Sequence, residues 1–149
     1  RLQMLELANA ATMKTEPLTD KVLGRMDDLR PTFRYYAALG ILVRGKSAVE
    51  EHAAKLEKAM RDSEVSVRIT AAEALGRYGN EDQKAEAIGQ LLSDANLENT
   101  SPAASVWALN SLQAIGADGL KDEISKLPAK DGLKRGGGYV TRLIRDLTN

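Results

Sequence analysis

The sequence predicts an all-α domain, an α-solenoid of four to five helix pairs wound into a right-handed superhelix, and three observations carry that expectation. Sliding the 149-residue chain against itself lays residues 33–45 over residues 67–79, with an arginine, an Ala-Ala pair and a closing glycine in register. Further copies begin near Ala104 and Tyr139, so the successive offsets are 34, 37 and 35 residues. Periods of this length mark architectures in which each unit buries its apolar face only against its neighbours. Within each copy the apolar residues recur at steps of three and four, the helical period. No segment alternates with period two, and β-branched residues nowhere cluster.

The elements follow in order, with helices expected at roughly 2–12, 18–29, 32–44, 47–61, 65–78, 81–93, 102–115, 118–127 and 138–148. The first opens on Leu2, Met4, Leu5, Leu7 and Ala8, which place apolar residues on more than one side. Leu18, Val22, Met26 and Leu29 step by four, four and three to make the second. Residues 33–45 are the first clear repeat copy, and Val49, Ala53, Leu56 and Met60 step by 4, 3 and 4 behind it. Val67, Ala71, Ala74, Leu75 and Tyr78 form the next apolar face, and Gly79 is placed where a left-handed C′ residue would end a helix. Ser101-Pro102 reads as an N-cap followed by a first-turn proline, and opens the copy with Trp107, Ala108, Leu112 and Ile115. Leu120, Ile124 and Leu127 give a shorter helix stopped by Pro128. Val140, Leu143, Ile144 and Leu147 line the last. The Ala-Ala pairs at 37–38 and 71–72 would let adjacent helices approach closely. The whole chain, 1–149, reads as one domain with repeats at about 1–30, 31–63, 64–100, 101–135 and 136–149. Because it begins at Arg1, already inside helical sequence, it is expected to be a piece of a longer chain.

Composition narrows the function classes. With 43% hydrophobic, 28% charged and only 4% aromatic residues, the chain is of ordinary globular type. Basic and acidic side chains number 21 each, so there is no net charge to recruit nucleic acid or an anionic membrane. No apolar run reaches the length of a membrane span. Cysteine is absent, which removes disulfides, thiolate catalysis and Cys-based metal sites. The charge is unevenly spread: residues 1–62 carry 11 basic and 9 acidic side chains (+2), residues 63–133 carry 6 and 11 (−5), and residues 134–149 carry 4 and 1 (+3). An acidic middle between mildly basic ends suits docking to a protein better than tracking a phosphate backbone. Lys21, Lys55, Ala87 and Glu123, at roughly equivalent positions on the second helices, share no sign, against a nucleic-acid stripe.

The helix-pair units, Val67-Arg68 after the acidic Asp62 turn, and the Ala-Ala…Leu…Gly run resemble HEAT repeats over almost the whole chain. More narrowly, four strings are similar to the HEAT-type C-terminal region appended to some bacterial sulfatases. They are residues 33–40 with Arg44-Gly45, residues 66–75, residues 108–112 and Gly138-Tyr139-Val140. The longer turn at 95–101 and the three glycines at 136–138 depart from that pattern. The resemblance implies a non-catalytic accessory domain whose catalytic partner lies upstream. A sulfatase needs Cys or Ser in a C/S-x-P-x-R context, and Ser101-Pro102 lacks that spacing, so ester hydrolysis would belong to residues before Arg1. It also implies a periplasmic or secreted location; without it a cytoplasmic one is expected.

Other signals weigh less. Residues 40–47 match G-x-x-x-x-G-K-[ST], but a phosphate loop follows a strand and opens a helix, whereas this segment continues a helix. His52 is the only histidine and has Ala48, Val49, Lys55 and Leu56 as its helical neighbours, none of them a catalytic or metal partner. The acidic pairs 27–28, 50–51, 81–82 and 122–123 diverge by about 100° around a helix and read as solvated surface. Gly136 to Gly138 after Lys134-Arg135 read as a loop, and Trp107, Tyr35, Tyr36 and Tyr78 as packing residues. The expected function is a protein-interaction module without enzyme activity, cofactor, metal, nucleic-acid or membrane partner. Its candidate docking surface is Leu2, Met4, Leu5 and Leu7 on the first helix. The alternative is a free-standing scaffold or regulatory protein that binds a protein on its concave face.

Overall fold

A computed structural model describes residues 2–13, 17–128 and 136–149. The described residues form helices joined by turns, without a strand. In order they are α1 (Leu2–Thr12), α2 (Asp20–Leu23), a 3-10 turn (Gly24–Asp27), α3 (Pro31–Arg44), α4 (Lys46–Glu51), α5 (Ala53–Ala59), α6 (Val65–Tyr78), α7 (Glu81–Ala95), α8 (Pro102–Gly116), a second 3-10 turn (Ala117–Leu120), α9 (Lys121–Ser125) and α10 (Gly137–Thr148). No helix among the described residues is long and apolar enough to cross a membrane.

The long first helices match the sequence expectation closely, because each is fixed by local signals as well as packing. Pro31 stands in the first turn of α3, where its missing N–H costs nothing. Ser101 Oγ accepts a hydrogen bond from Ala104 N at the start of α8. Asn80 and Gln83 form a reciprocal capping box on α7, each side chain accepting the other's backbone N–H at 2.9 Å.

Of the second helices, α7 matches the expected 81–93 and the other three differ. The stretch 18–29 is four residues of α-helix and a 3-10 turn, ended by Asp28, whose backbone is extended and whose carboxylate accepts from Arg30 N. The stretch 47–61 is broken at His52 (φ −112°, ψ 20°) into α4 and α5, with Val49, Leu56 and Met60 all buried. The stretch 118–127 begins as 3-10 after Gly116, which takes φ 128°, a conformation that favours glycine. Gly79 is not left-handed: at φ −73°, ψ 175° it is extended. A glycine is needed there for space, since a Cβ would lie 2.5 Å from Leu75 O and 2.9 Å from Gln83 Oε1. The connector expected at 129–138 falls mostly on residues outside those described.

Helix α1 packs against α3, α3 against α6, α6 against α8 and α8 against α10, while α7 lies between α6 and α8, and α5 backs α6. Small residues set the spacing. Ala37, Ala38, Ala71 and Ala72 are wholly buried, and Gly40 faces the backbone of α1, with Ala11 Cα 3.4 Å from where its Cβ would stand. Arg44 secures that contact by donating to Ala10 O, Ala11 O and Met13 O, the carbonyls that the end of α1 leaves without helical partners.

A chain of arginine–aspartate clasps joins the turns. Arg34 donates from Nε and Nη2 to the two carboxylate oxygens of Asp62, at 2.7 and 2.9 Å, and from Nη1 back to Asp28 O and Leu29 O. One period on, Arg68 grips Asp94 with the same two nitrogens, at 3.2 and 2.7 Å, and reaches back to Asp62 O and Ser63 O. Asp62 therefore serves both clasps: its carboxylate takes Arg34 and Glu64 N, and its carbonyl takes Arg68. In the third copy Ser105 occupies the arginine position and keeps only the backward bond, donating to Ala95 O. The Arg34 guanidinium and the Glu64 N–H hold the Asp62 carboxyl below the usual carboxylate range against the opposing effect of burial.

Candidate functional site

The face formed by α3, α6 and α8 carries an open groove of about 340 Å³. Its walls come from three successive repeat copies. Aligning them puts Tyr36, Thr70 and Trp107 at one position, a small residue between two aromatic ones. Thr70 is buried and turns its hydroxyl onto Ser66 O of its own helix. Trp107 of α8 therefore reaches over α6 to Tyr35 of α3, edge to face, with ring centroids 5.8 Å apart and planes at 82°. Tyr35 also meets Tyr36 at 5.1 Å. Burial, followed by the nearby Tyr36 and the Glu73 charge, pushes the Tyr35 phenol above its ordinary range, so it stays protonated at neutral pH.

Glu73 lines the groove between these aromatic walls, its side chain 17% exposed. One carboxylate oxygen accepts from Ser111 Oγ at 2.8 Å and the other from Arg77 Nη1 at 3.2 Å. The Arg77 guanidinium lies 5.0 Å from the centroid of Tyr78. The groove thus offers ring faces and edges, one carboxylate and one exposed cation that pairs with it, an arrangement suited to holding a side chain.

The sequence singled out the four aromatic residues as packing groups. They do pack: all are half-buried and Trp107 rests on the core. That reading missed the second role of Tyr35, Tyr78 and Trp107 as groove walls, and it missed Glu73 and Arg77 altogether. The signal was the Tyr36–Thr70–Trp107 alternation, legible only once the repeat copies are superposed.

The other sequence candidates are placed as follows. Leu7 is buried at 6% exposure and belongs to the core, so it is no part of an open docking surface. Met4 and Leu5 are exposed, and the side chain of Leu2 lies outside the described residues. Gly40 to Arg44 continue α3, so their backbone N–H groups are spent in the helix and do not line a loop. Gly45 (φ 79°) turns the chain into α4, and Lys46 meets Glu50 at 3.7 Å. His52 is half-buried at the break between α4 and α5, with Glu51 at 4.0 Å. Ala87 is buried rather than on an open face. Of the acidic pairs, Asp27 takes Lys58 and Asp28 takes Arg25 and Arg30, so both are ion-pair partners as well as surface groups. Lys134 and Arg135 lie outside the described residues. Among those residues, no three His, Asp or Glu side chains converge to hold a metal. A larger groove of about 820 Å³ runs between the Gly24–Asp27 turn and α5. Three of its cations are already matched, Arg34 by Asp62, Lys58 by Asp27 and Arg61 by Glu86.

Compared with known proteins, the chain matches no family model, and no curated protein matches it.

Proposed function

We propose that this chain is a non-catalytic docking module, a right-handed α-solenoid of HEAT-like helix pairs that binds a polypeptide across its first helices. One observation carries the reading: the Tyr35–Trp107 groove is assembled from three successive repeat copies. A partner seated there contacts several units at once, which is how repeat proteins use their extended surfaces. The stacking of α1, α3, α6, α8 and α10 in chain order supports the solenoid part of the proposal. The binding face moves from α1, where Leu7 is spoken for by the core, to this groove.

Selection from a library of displayed 12-residue peptides tests it. Enriched sequences that bind the wild-type chain and lose at least about ten-fold affinity, some 1.4 kcal/mol, on Trp107→Ala support docking here. Enrichment indifferent to Trp107, or none, overturns it. The finer proposal, an accessory domain following a sulfatase-type catalytic domain, rests on the HEAT-like strings at 33–45 and 66–75. The coding sequence upstream of Arg1 tests that part: a C/S-x-P-x-R motif in a hydrolase domain supports it, and any other neighbour overturns it.

A further inference from the structure

We infer that the groove takes a basic side chain, arginine or lysine, of a partner polypeptide, seated against the Trp107–Tyr35 pair with its charge on Glu73 in the place Arg77 of this chain now holds. The inference rests on the docking function proposed above and names the chemistry of the partner. Three observations argue for it.

The groove has one carboxylate, that of Glu73, flanked by aromatic walls. Ring faces and a carboxylate together attract a cation more strongly than either alone, and the partial desolvation of Glu73 sharpens the attraction. Second, Arg77 already demonstrates the fit, pairing with Glu73 at 3.2 Å while its guanidinium stands over Tyr78. Third, its hold is weak. It is a single hydrogen bond between residues four apart on one helix, with the arginine side chain 36% exposed, and exposed pairs of this spacing are among the weakest ion pairs. A side chain arriving from outside can press against Trp107 and Tyr35 as well, and Arg77 is free to swing toward solvent. Ser111 keeps the second carboxylate oxygen oriented throughout.

The exchange has a two-sided signature. Trp107 is the chain's only tryptophan, so its fluorescence reports on the groove directly. The probes are acetyl-Gly-Gly-Arg-Gly-Gly-amide, its lysine counterpart and its citrulline counterpart, which keeps the arginine shape without the charge, titrated at constant ionic strength. The arginine and lysine peptides are expected to give saturable changes with millimolar Kd, and the citrulline peptide to bind at least about ten-fold more weakly. Glu73→Gln should weaken the arginine peptide by a similar factor, while Arg77→Met, which vacates the carboxylate but keeps the stem, should tighten it about three-fold or more. Far-UV circular dichroism checks that the variants fold; if Glu73→Gln does not, the citrulline and Arg77→Met arms decide alone. Equal binding of arginine and citrulline, weaker binding by Arg77→Met, or no saturation with either basic peptide overturns the inference. Trp107-dependent selection of displayed peptides without a basic residue would overturn it too, while leaving the docking function standing.

Discussion

Asp62 sits where two clasps meet, and its behaviour with pH follows from its partners. Its pKa is lowered in the folded chain, first by the hydrogen bonds from Arg34. A depressed carboxylate contributes stability that is present above its unfolded pKa of about 4 and is lost as pH falls through the lower folded value. Urea titrations should therefore show Asp62→Asn losing stability relative to wild type at pH 7, with the gap closing as the pH falls below about 4. A gap that stays constant down to pH 2 would mean the ionised form is not what the clasp requires. Asp94 is more deeply placed, with 3% exposure, and takes Gln90 besides Arg68. Truncating it strands a partly buried guanidinium, so Asp94→Ala should cost about 2–4 kcal/mol in the same assay. The arginines were legible in the sequence, since Arg34 and Arg68 fall in register. Asp94 was not. The position 34 residues after Asp62 is Asn96, which copies only the Asp62 bond to the backbone, accepting from Glu98 N, while the charge has moved two residues earlier.

Helix α6 shows why some elements could be read from sequence and others could not. It is flanked by packed neighbours, so eight of its residues are buried and its apolar period is unbroken. Ala71 is wholly enclosed, and Ala71→Leu should destabilise by about 1–3 kcal/mol through overpacking. Less than about 0.5 kcal/mol, the usual size of a surface effect, would place Ala71 outside the close contact. Gly79→Ala should also destabilise, by about 1–3 kcal/mol, because the added Cβ meets Leu75 O and cannot be relieved by turning a side chain. A left-handed Gly79 would have put the cost on backbone conformation instead, and Asn would then have been tolerated; here Gly79→Asn should be no better than Ala. The stretches 18–29, 47–61 and 118–127 were misread as continuous helices, whereas 81–93 was not, because periodicity reports which residues are buried and is silent about where a helix pauses. Val49 and Leu56 keep their apolar step across the His52 break, so nothing in that pattern announces it.

Across the molecule the clasps run from the turn at Asp28, through Asp62, to the turn at Asp94, and there they end. In the solenoid proposed above, stability would be a sum of unit terms and nearest-neighbour interfaces, so an unclasped boundary is where cooperativity should first fail. Hydrogen exchange of the Arg68→Leu variant should show α7 and α8 opening ahead of α3, and α1 staying protected through Arg44. Uniform loss of protection along the chain would show that the clasps do not partition the fold. The all-helical character was visible in the apolar period, whereas the groove was not, because it depends on Thr70 being small between two aromatic neighbours in space.

The clasp also bears on how such a chain can grow. Asp28 and Asp62 recur at the same 34-residue step as Arg34 and Arg68, so a copied segment of that length carries one half of each clasp at either seam. Inserted in register between two such units, its arginine finds an aspartate ahead and a pair of carbonyls behind. A duplication is thus joined to its neighbours from the moment it arises, before any apolar contact has been refined. The next offset, 37 residues, comes with serine in place of arginine, so that seam lacks the ready-made joint and carries the longer turn at 95–101.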